Sequence, residues 1–157
     1  KPHAVVSPAD GKVLSIDSTN DDQYLKEHVI KVSIFMNVFN VHVNRLPLSG
    51  KVEQITHVPG KFYSADSDKG GLLNEKCATI LTTDSGDKIA FVQIAGLIAR
   101  RIINWLEAGE TVKKGDRFGL IRFGSRVDVY LPANTAIAVE KGQKIRAGET
   151  IIGYLVG

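Results

Sequence analysis

Short runs that alternate between apolar and polar residues, with many β-branched side chains, make up most of this chain. Such alternation is typical of half-buried strands, and the runs end at Gly, Pro, Asn or Asp, which favour turns. Stretches with the 3.6-residue period of an amphipathic helix are scarce. The pattern predicts nine strands, at residues 11–15, 29–35, 50–57, 77–83, 88–94, 117–123, 126–131, 136–139 and 150–155.

Two segments fit the strand pattern less well. Residues 97–106 place leucines and arginines at spacings that suit a helix, whereas the isoleucines between them suit a strand. We assign this segment to a strand. Residues 66–71 include Asp68, a lysine and two glycines, and we expect an exposed flexible loop there that closes over a site.

A glycine-turned motif occurs twice towards the end of the chain. Residues 112–116 and residues 139–143 share the order Val-x-Lys-Gly followed by a polar residue. Biotinyl and lipoyl carrier domains and some sugar-phosphotransferase domains have a similar rhythm. The predicted fold class is therefore mainly β: a single-domain β sandwich or barrel that resembles the duplicated hybrid motif, with few or no helices. Fold alone does not give function.

Size and composition fit one globular domain. The chain has 157 residues, of which 43% are hydrophobic and 24% are charged, close to the averages of globular proteins. The net charge of +3 favours anionic partners only weakly. Because basic residues are scattered and only 7% of residues are aromatic, we expect no nucleic-acid binding.

Cys77 is the only cysteine, which excludes an internal disulfide and a Cys-x-x-Cys metal motif. It lies in an apolar run, where we expect a buried, unreactive thiol. No stretch reaches the roughly 18 to 20 apolar residues of a membrane span. The chain also starts without a signal peptide or an initiator methionine. We therefore expect an N-terminal part that carries a membrane anchor to be absent.

The dipeptide Gly124-Ser125 is the candidate for chemistry. A serine hydroxyl can attack the preceding carbonyl carbon when the backbone is bent, and glycine permits unusual dihedral angles. The attack turns the amide into an ester, and elimination then leaves dehydroalanine, which hydrolyses to a pyruvoyl group and ammonia. This ketone can accept the electrons of a decarboxylation, a role that a separate cofactor usually fills. Gly-Ser is also common in ordinary turns.

Several motifs in a fixed order link the chain to a known family. Arg-Phe-Gly-Ser-Arg-Val-Asp at residues 122–128 resembles the processing site of the short form of phosphatidylserine decarboxylase, where other members carry Leu-Gly-Ser-Thr. The resemblance covers nearly the whole chain through motifs at residues 7–11, 39–45, 57–62, 74–75 and 93–96.

The resemblance implies an enzyme that decarboxylates phosphatidylserine to phosphatidylethanolamine through a Schiff base with a pyruvoyl group formed from Ser125. Neither pyridoxal phosphate nor a metal is needed. It also implies cleavage between residues 124 and 125, into a large chain 1–124 and a small chain 125–157 that stay associated. We expect the strands on either side of the cut, at residues 117–123 and 126–131, to remain paired within one sheet system.

The resemblance further implies an Asp-His-Ser relay for self-cleavage. Its aspartate falls on Asp10, although Asp10-Gly11 also suits a tight turn. His42 aligns with the first histidine of the Tyr-His-x-x-His motif of long-form members, and their second histidine falls on Arg45. Arginine cannot act as the base. Either His42 therefore serves both self-cleavage and the later protonation step, or His57 supplies one of these functions.

Weaker candidates concern the substrate. Arg45 is suited to hold the phosphate or carboxylate, since a guanidinium binds both groups in a forked geometry, although a surface salt bridge explains it nearly as well. Phe39, Phe62, Tyr63 and Leu72 are candidates for an apolar slot around the glycerol and acyl carbons. The scattered histidines predict no metal site.

Two other functions remain open. Archaetidylserine decarboxylation would use the same chemistry on an ether lipid. A non-catalytic hybrid-motif carrier or interaction domain would need a lysine at a hairpin tip, and no Met-Lys-Met or Asp-Lys-Ala turn occurs. We expect a phospholipid partner on the cytoplasmic face of a membrane, reached peripherally or through the absent N-terminal part. The sequence leaves a homodimer open.

Overall fold

The computed structural model describes residues 3–36, 42–96, 102–121 and 124–156, and for residue 42 only the backbone. These residues form strands and one short helix, α1 (Asp68–Leu73). The strands are β1 (Ala4–Val6), β2 (Gly11–Asp21), β3 (Glu27–Met36), β4 (His42–Arg45), β5 (Gly50–Val58), β6 (Lys76–Thr83), β7 (Lys88–Ile94), β8 (Ile102–Asn104), β9 (Thr111–Val112), β10 (Arg117–Ile121), β11 (Ser125–Pro132), β12 (Ala136–Ile137), β13 (Lys144–Ile145) and β14 (Ile151–Tyr154). The predicted mainly-β class is confirmed.

The largest sheet has eight antiparallel strands in the order β13-β2-β3-β11-β7-β6-β5-β9. Strand β11 lies inside this sheet. It pairs with β3 along its whole length, from Ser125 opposite Met36 to Pro132 opposite Val29, and with β7 on its other side. Pairing with β3 fixes the position of the whole strand from Ser125 onwards, and pairing with β7 on the other edge fixes residues 126–130.

Two three-stranded sheets complete the fold, in the orders β4-β10-β8 and β1-β14-β12. Strand β4 is also tied to the segment between β1 and β2, because the N–H of Arg45 donates to the carbonyl of Pro8 at 2.9 Å. The motif segments of residues 7–11 and 42–45 therefore lie side by side.

The main core lies on one face of the eight-stranded sheet. Val127, Val129 and Leu131 of β11 are fully buried in it. The rings of Phe91 and Phe118 meet there edge to face, with 4.9 Å between their centroids, a favourable geometry for aromatic pairs. A smaller cluster that includes Tyr130 covers the other face. Both faces of β11 are thus packed.

Each of the nine predicted strands overlaps an observed strand. Residues 122–123 of one prediction lie outside the described residues, and only Ala136–Ile137 of the prediction at 136–139 is a strand. The β2–β3 hairpin extends beyond the prediction, because polar residues at its outer end hide the alternation. Strands β1, β4, β9 and β13 are too short to produce a local pattern. Of the predicted strand at residues 97–106, Ile102–Asn104 is a strand, and residues 97–101 lie outside the described residues.

The flexible loop predicted at residues 66–71 is wrong, because most of it belongs to helix α1. Ser67 caps the helix, and its Oγ accepts the N–H of Gly70 at 3.0 Å, a typical N-cap interaction. A Cβ at Gly70 would lie 2.0 Å from the carbonyl oxygen of Ser64. The glycine that weakens the helix signal is therefore needed for this close contact.

The prediction that the strands on either side of the cut pair within one sheet system is also wrong. Strand β10 belongs to the sheet β4-β10-β8, whereas β11 belongs to the eight-stranded sheet. Gly124, which has a φ of 81°, lies where the chain enters β11. Association of the two predicted halves would therefore depend on other strand pairs: β11 with β3 and β7, β13 with β2, and β14 with β1.

Candidate active site

The Gly124–Ser125 bond is held by two neighbouring segments. Gly124 adopts a φ of 81°, in the left-handed region that glycine reaches without steric cost. Its N–H donates to the carbonyl of Met36 at 2.5 Å. Its own carbonyl lies against Gly96, so closely that a Cβ on Gly96 would be 1.8 Å from the carbonyl oxygen. The predicted cleavage site therefore has a constrained turn geometry.

Ser125 is completely buried at the start of β11. Its Oγ lies 3.9 Å from Sδ of Met36, the residue opposite it on β3. Burial keeps bulk water away from the hydroxyl, which protects a reactive ester formed there from hydrolysis.

Strand register brings the backbone of His42 towards the same place. His42 begins β4 opposite Ile121, three residues before Gly124. Met36 ends β3 opposite Ser125, so the two strands that flank residues 37–41 both end near the cut. The side chain of His42 lies outside the described structure.

Asp10 is found at this end of the large sheet as well. It precedes Gly11, where a Cβ would lie 2.2 Å from the carbonyl oxygen of Phe35. Phe35 is followed by Met36, the strand partner of Ser125. The motif segments that carry the predicted aspartate, histidine and serine therefore meet at one end of the fold.

The carboxylate of Asp10 also has a structural contact. Its Oδ1 accepts the backbone N–H of Ala147 at 2.7 Å. Nearby, the N–H of Gly148 donates to the carbonyl of Ser7 at 2.8 Å. Asp10 thus helps to attach the turn before β14 to the turn before β2, and this contact is compatible with a role in the predicted relay.

Arg45 joins β4 to two turns. Its Nη1 donates to the carbonyl of Gly115 at 2.8 Å. Its aliphatic part packs against Gly148, where a Cβ would lie 2.7 Å from Cδ of Arg45. These contacts give Arg45 a structural role, and its binding of phosphate or carboxylate stays a prediction.

His57 lies on a different part of the sheet. It is exposed on β5 opposite Cys77, with 3.7 Å between Nε2 and Sγ. Strands β6 and β7 separate β5 from β11, which corresponds to roughly 14 Å at the usual strand spacing. Cys77 is buried, as predicted, and burial raises the pKa of its thiol to about 11.

The predicted apolar slot residues are described in part. Tyr63 is 39% exposed, and Nζ of Lys69 lies 5.7 Å from the centre of its ring. Phe62 is half-buried. Leu72, on helix α1, is 71% exposed. Phe39 lies outside the described residues.

Comparison with known proteins identifies the family of this chain. The family model described as phosphatidylserine decarboxylase matches residues 1–153. The chain belongs to this family. It is 59% identical over 155 residues to the phosphatidylserine decarboxylase proenzyme of Desulfotalea psychrophila, which covers 99% of this chain and 72% of that protein.

Two further relatives carry the same name. The protein of Syntrophus aciditrophicus is 53% identical, and the match covers 95% of this chain and 70% of the relative. The protein of Rickettsia akari is 54% identical, over 94% of this chain and 65% of the relative. The family assignment made from the motifs is therefore confirmed.

A buried ion pair beside the cut was missed by sequence reasoning. Nε of Arg126 lies 2.7 Å from Oδ1 of Asp128, and Nη2 lies 3.0 Å from Oδ2. The two side chains are only 9% and 3% exposed. Burial lowers the pKa of Arg126, but the charge of Asp128 and its hydrogen bond outweigh this and leave the pKa raised. The only sequence signal was that this family member has arginine after Ser125.

A buried amide network holds the motif strands together. Nε2 of Gln93 donates to Oδ1 of Asn44 at 3.0 Å and to the carbonyl of Ile103 at 3.1 Å. Nδ2 of Asn104 donates to Oε1 of Gln93 at 3.1 Å, and Nδ2 of Asn44 donates to the carbonyl of Pro8 at 3.3 Å. The network links β4 and β8 to β7 and to the turn before Asp10. The family motifs contain Asn44 and Gln93, but their pairing required the structure.

Within the described ranges, no three His, Cys, Asp or Glu side chains come together in a way that could hold a metal ion. The same ranges contain no helix with the length and apolar character of a membrane span.

Proposed function

We propose that this chain is a pyruvoyl-dependent phosphatidylserine decarboxylase, made as a proenzyme in which Ser125 breaks the Gly124–Ser125 bond. The observation that carries the proposal is the geometry of this bond. Gly124 is in the left-handed region, its carbonyl is packed against Gly96, and Ser125 is buried at the start of an internal strand. The relatives' names, which include both the substrate and the word proenzyme, support it.

Self-cleavage begins with attack within the backbone. Oγ of Ser125 bonds to the carbonyl carbon of Gly124, a base takes the hydroxyl proton, and the C–N bond breaks as the nitrogen gains a proton. The product is an ester. Loss of the Cα proton of Ser125 and rupture of its Cβ–O bond then release the carboxylate of Gly124 and leave dehydroalanine. Water converts dehydroalanine to a pyruvoyl group and ammonia.

Residue 125 offers a suitable place for a small uncharged ketone. Ser125 is fully buried beside the thioether of Met36, and β3 and β7 fix the residues that follow it. When present, the pyruvoyl group supplies an electron sink through a Schiff base with the amino group of the substrate. The chain's own contribution is to hold residue 125 in a dry site and to supply protons.

His42 is the proposed base for self-cleavage and the proposed donor of the later proton. Support comes from the register of β4, which brings the His42 backbone close to the cut, whereas His57 lies on a strand roughly 14 Å from β11. Asp10, at the same end of the sheet, would orient the imidazole and stabilise its charged form. The relay would thus be assembled from the turn before β2 and from strands β4 and β11.

Intact mass under denaturing conditions tests the cleavage. We expect two species, with the smaller one beginning at residue 125 and lighter than its serine-started sequence by about 17 daltons, the mass of ammonia lost in forming the pyruvoyl group. Ser125→Ala should give one uncut species, since it lacks the nucleophile. A wild-type chain that stays intact, or a small chain that begins with an unmodified serine, would contradict the proposal.

A second prediction concerns His42. In His42→Ala, the decarboxylation rate per mole of pyruvoyl group should fall about 100-fold or more, the usual loss on removing a general acid or base. Self-cleavage should slow as well. The measurement follows carbon dioxide release together with a carbonyl titration of residue 125.

The matched control is His57→Ala, which should retain both activities. Loss of self-cleavage in this control, with normal cleavage in His42→Ala, would transfer the role of base to His57.

We further propose that the membrane-facing surface is the apolar segment, defined as residues 58–73. Leu72 is 71% exposed and Leu73 is 45% exposed on it. The segment contacts the strand that follows the cut, because Nη1 of Arg126 donates to the carbonyl of Ala65 at 3.4 Å. A phospholipid whose head group reaches residue 125 would bring its bilayer close to these leucines, which supports peripheral binding to a membrane.

A further inference from the structure

The carbonyl of Gly124 rests on the backbone that follows β7. A Cβ on Gly96 would lie 1.8 Å from the carbonyl oxygen of Gly124 and 2.7 Å from its carbon. Both distances are far below van der Waals contact, so only glycine lets the two segments approach this closely. The atom that Ser125 must attack therefore lies directly against residue 96.

The position of Gly96 is set by the residues before it. The N–H of Ala95 donates to the carbonyl of Glu75 at 3.0 Å, and the carbonyl of Ala95 accepts from Nδ2 of Asn74 at 2.7 Å. Ala95 is fully buried. Two hydrogen bonds from the Asn74–Glu75 segment thus hold the residue that precedes Gly96.

Asn74 is itself held in one orientation. Its side chain is buried, with the residue 1% exposed. Oδ1 accepts the N–H of Tyr63 at 2.7 Å, and Nδ2 donates to the carbonyl of Tyr63 at 2.7 Å as well as to Ala95. A buried amide with several partners is rigid, because breaking any one bond leaves a polar group unsatisfied.

We propose that Asn74 and Gly96 are positioning residues for self-cleavage. Asn74 holds the Ala95–Gly96 backbone. We call residues 74, 95 and 96 the carbonyl seat. The seat holds the Gly124 carbonyl in the position where the Ser125 hydroxyl attacks it. The inference rests on the proposed self-cleavage. It gives a function to the two motifs at residues 74–75 and 93–96. Both would contribute to self-cleavage by holding the carbonyl of Gly124.

Other glycines in the chain also make close backbone contacts, which allows a direct comparison. A Cβ at Gly50 would lie 2.1 Å from the carbonyl oxygen of Thr82. Gly50 starts β5 opposite Thr83, at the end of the strand away from Val58 and Lys76. Gly50→Ala therefore imposes a similar clash in the same sheet without touching the cut.

The test is the rate of self-cleavage in Gly96→Ala. This rate is measured after a pulse of synthesis by separating the uncut and cut chains on a gel. The added methyl must push the Gly124 carbonyl away by roughly an ångström, a misplacement that can cost about 100-fold in rate. We expect a loss of that size, whereas folded Gly50→Ala should cleave at the wild-type rate.

Hydroxylamine identifies the step that is affected. It cleaves esters, and so should split the wild-type proenzyme into a large chain ending in a hydroxamate and a small chain beginning with serine. In Gly96→Ala this split should be slowed by the same factor as self-cleavage, because the ester forms more slowly. Splitting at the wild-type rate would show that the ester forms normally and would overturn the proposal.

Asn74→Asp provides a second variant in case Gly96→Ala does not fold. It keeps the shape of the side chain and the Oδ1 acceptor but removes the Nδ2 donor to the carbonyls of Ala95 and Tyr63. We expect slower ester formation in Asn74→Asp. When Asn74→Asp is combined with Ser125→Ala, the circular dichroism spectrum should be that of the folded Ser125→Ala chain. A folded Asn74→Asp that cleaves at the wild-type rate overturns the proposal.

The two proposals fail in different ways. If the wild-type chain never yields a lighter small chain, the proposed self-cleavage fails. If the wild type is cleaved and the folded seat variants are cleaved equally fast, only the carbonyl seat fails.

Discussion

Arg126 and Asp128 form a buried ion pair immediately after the bond proposed for cleavage. Nη2 of Arg126 also donates to Oγ of Ser33 at 3.2 Å, and its Nη1 lies where a Cβ on Gly71 would be only 2.5 Å away. One guanidinium therefore links β11, β3 and the apolar segment. Removing one partner of such a pair leaves a buried charge uncompensated.

Arg126→Met should destabilise the chain by about 3 kcal/mol, at the lower end of the usual range for breaking a buried pair. The lower end is expected because Lys76 remains near Asp128 and compensates part of its charge once Arg126 is gone. The pKa of Lys76 reflects this proximity, because burial lowers it and the charge of Asp128 partly raises it again. Urea unfolding in the uncleavable Ser125→Ala background measures the change.

The matched control for this prediction is the double variant Arg126→Met with Asp128→Leu, which removes both charges. It should recover most of the lost stability, because apolar replacements of a buried pair are often neutral. A double variant less stable than the single one would show that the contacts of Arg126 with Ser33 and Ala65 matter more than its charge.

Single residues also mark the limit of prediction from sequence. Ser125, Asp10 and His42 could be selected because their motifs occur in a recognised order. Arg126, Asn74 and Gly96 could not be given roles, since those depend on contacts such as Arg126 to Ser33, which are 93 positions apart. No local pattern encodes such a pairing.

At the scale of elements, helix α1 and its flanks form the exposed part of the apolar segment. The segment contains two lysines and two aspartates, so its charges cancel. Membrane binding through it should therefore depend on burial of leucine side chains more than on attraction to anionic lipid.

Replacing Leu72 and Leu73 together by serine should weaken binding to phosphatidylcholine vesicles at least tenfold, since burial of one leucine contributes about 1.5–3 kcal/mol. Vesicle sedimentation measures it. Added salt should have little effect on the wild type. Val156→Ser is the control, because Val156 is 58% exposed outside the segment. Equal binding by the leucine variant and the wild type would rule out this surface.

The helix illustrates why elements were only partly predictable. Strands with clear alternation were found, because that signal is local. Helix α1 was missed, because Gly70 and Gly71 disfavour helices in isolation, whereas the close contacts that require them, with Ser64 and Arg126, are tertiary. The assignment of β10 and β11 to different sheets was missed for the same reason.

At the scale of the whole molecule, two packed tyrosines make the free energy of unfolding depend on pH in the alkaline range. Tyr24 and Tyr130 meet edge to face, with 5.2 Å between ring centroids. Burial, followed by the charges of Asp128 and Asp21, raises the pKa of Tyr24 from 10.0 to about 12. Burial, followed by the charges of Asp128, Tyr24 and Asp21, also raises the pKa of Tyr130, and the charge of Arg126 partly opposes this rise.

Both tyrosines have a higher pKa in the folded state than in the unfolded state. Both contributions are therefore complete below pH 10.0. That of Tyr24 is lost as the pH rises towards 12, and that of Tyr130, whose pKa is raised further, is lost at still higher pH. The lowered pKa of Lys76 acts in the opposite direction, because the folded state releases that proton first. Its effect ends once unfolded lysine is neutral, near 10.5.

Because burial also raises the pKa of Cys77 from 9.0 to about 11, the unfolding free energy of Ser125→Ala should begin to fall near pH 9. Tyr24→Phe should reduce the part of the decline between about pH 10 and about pH 12. Urea unfolding at several pH values measures both. Tyr63→Phe is the control, since Tyr63 is exposed. An unchanged decline in Tyr24→Phe would mean that other groups govern alkaline unfolding.

The sequence by itself determined the strand content, the family and the bond proposed for cleavage, because alternation and ordered motifs can be read along the chain. Tertiary structure decided that β10 and β11 lie in different sheets, that the His42 backbone and not His57 lies near the cut, and that Gly96 lies against the Gly124 carbonyl. These features depend on strand register and backbone contact between distant segments. The energies that select them come from burial and hydrogen bonding in the assembled fold, and no short stretch of sequence contains them.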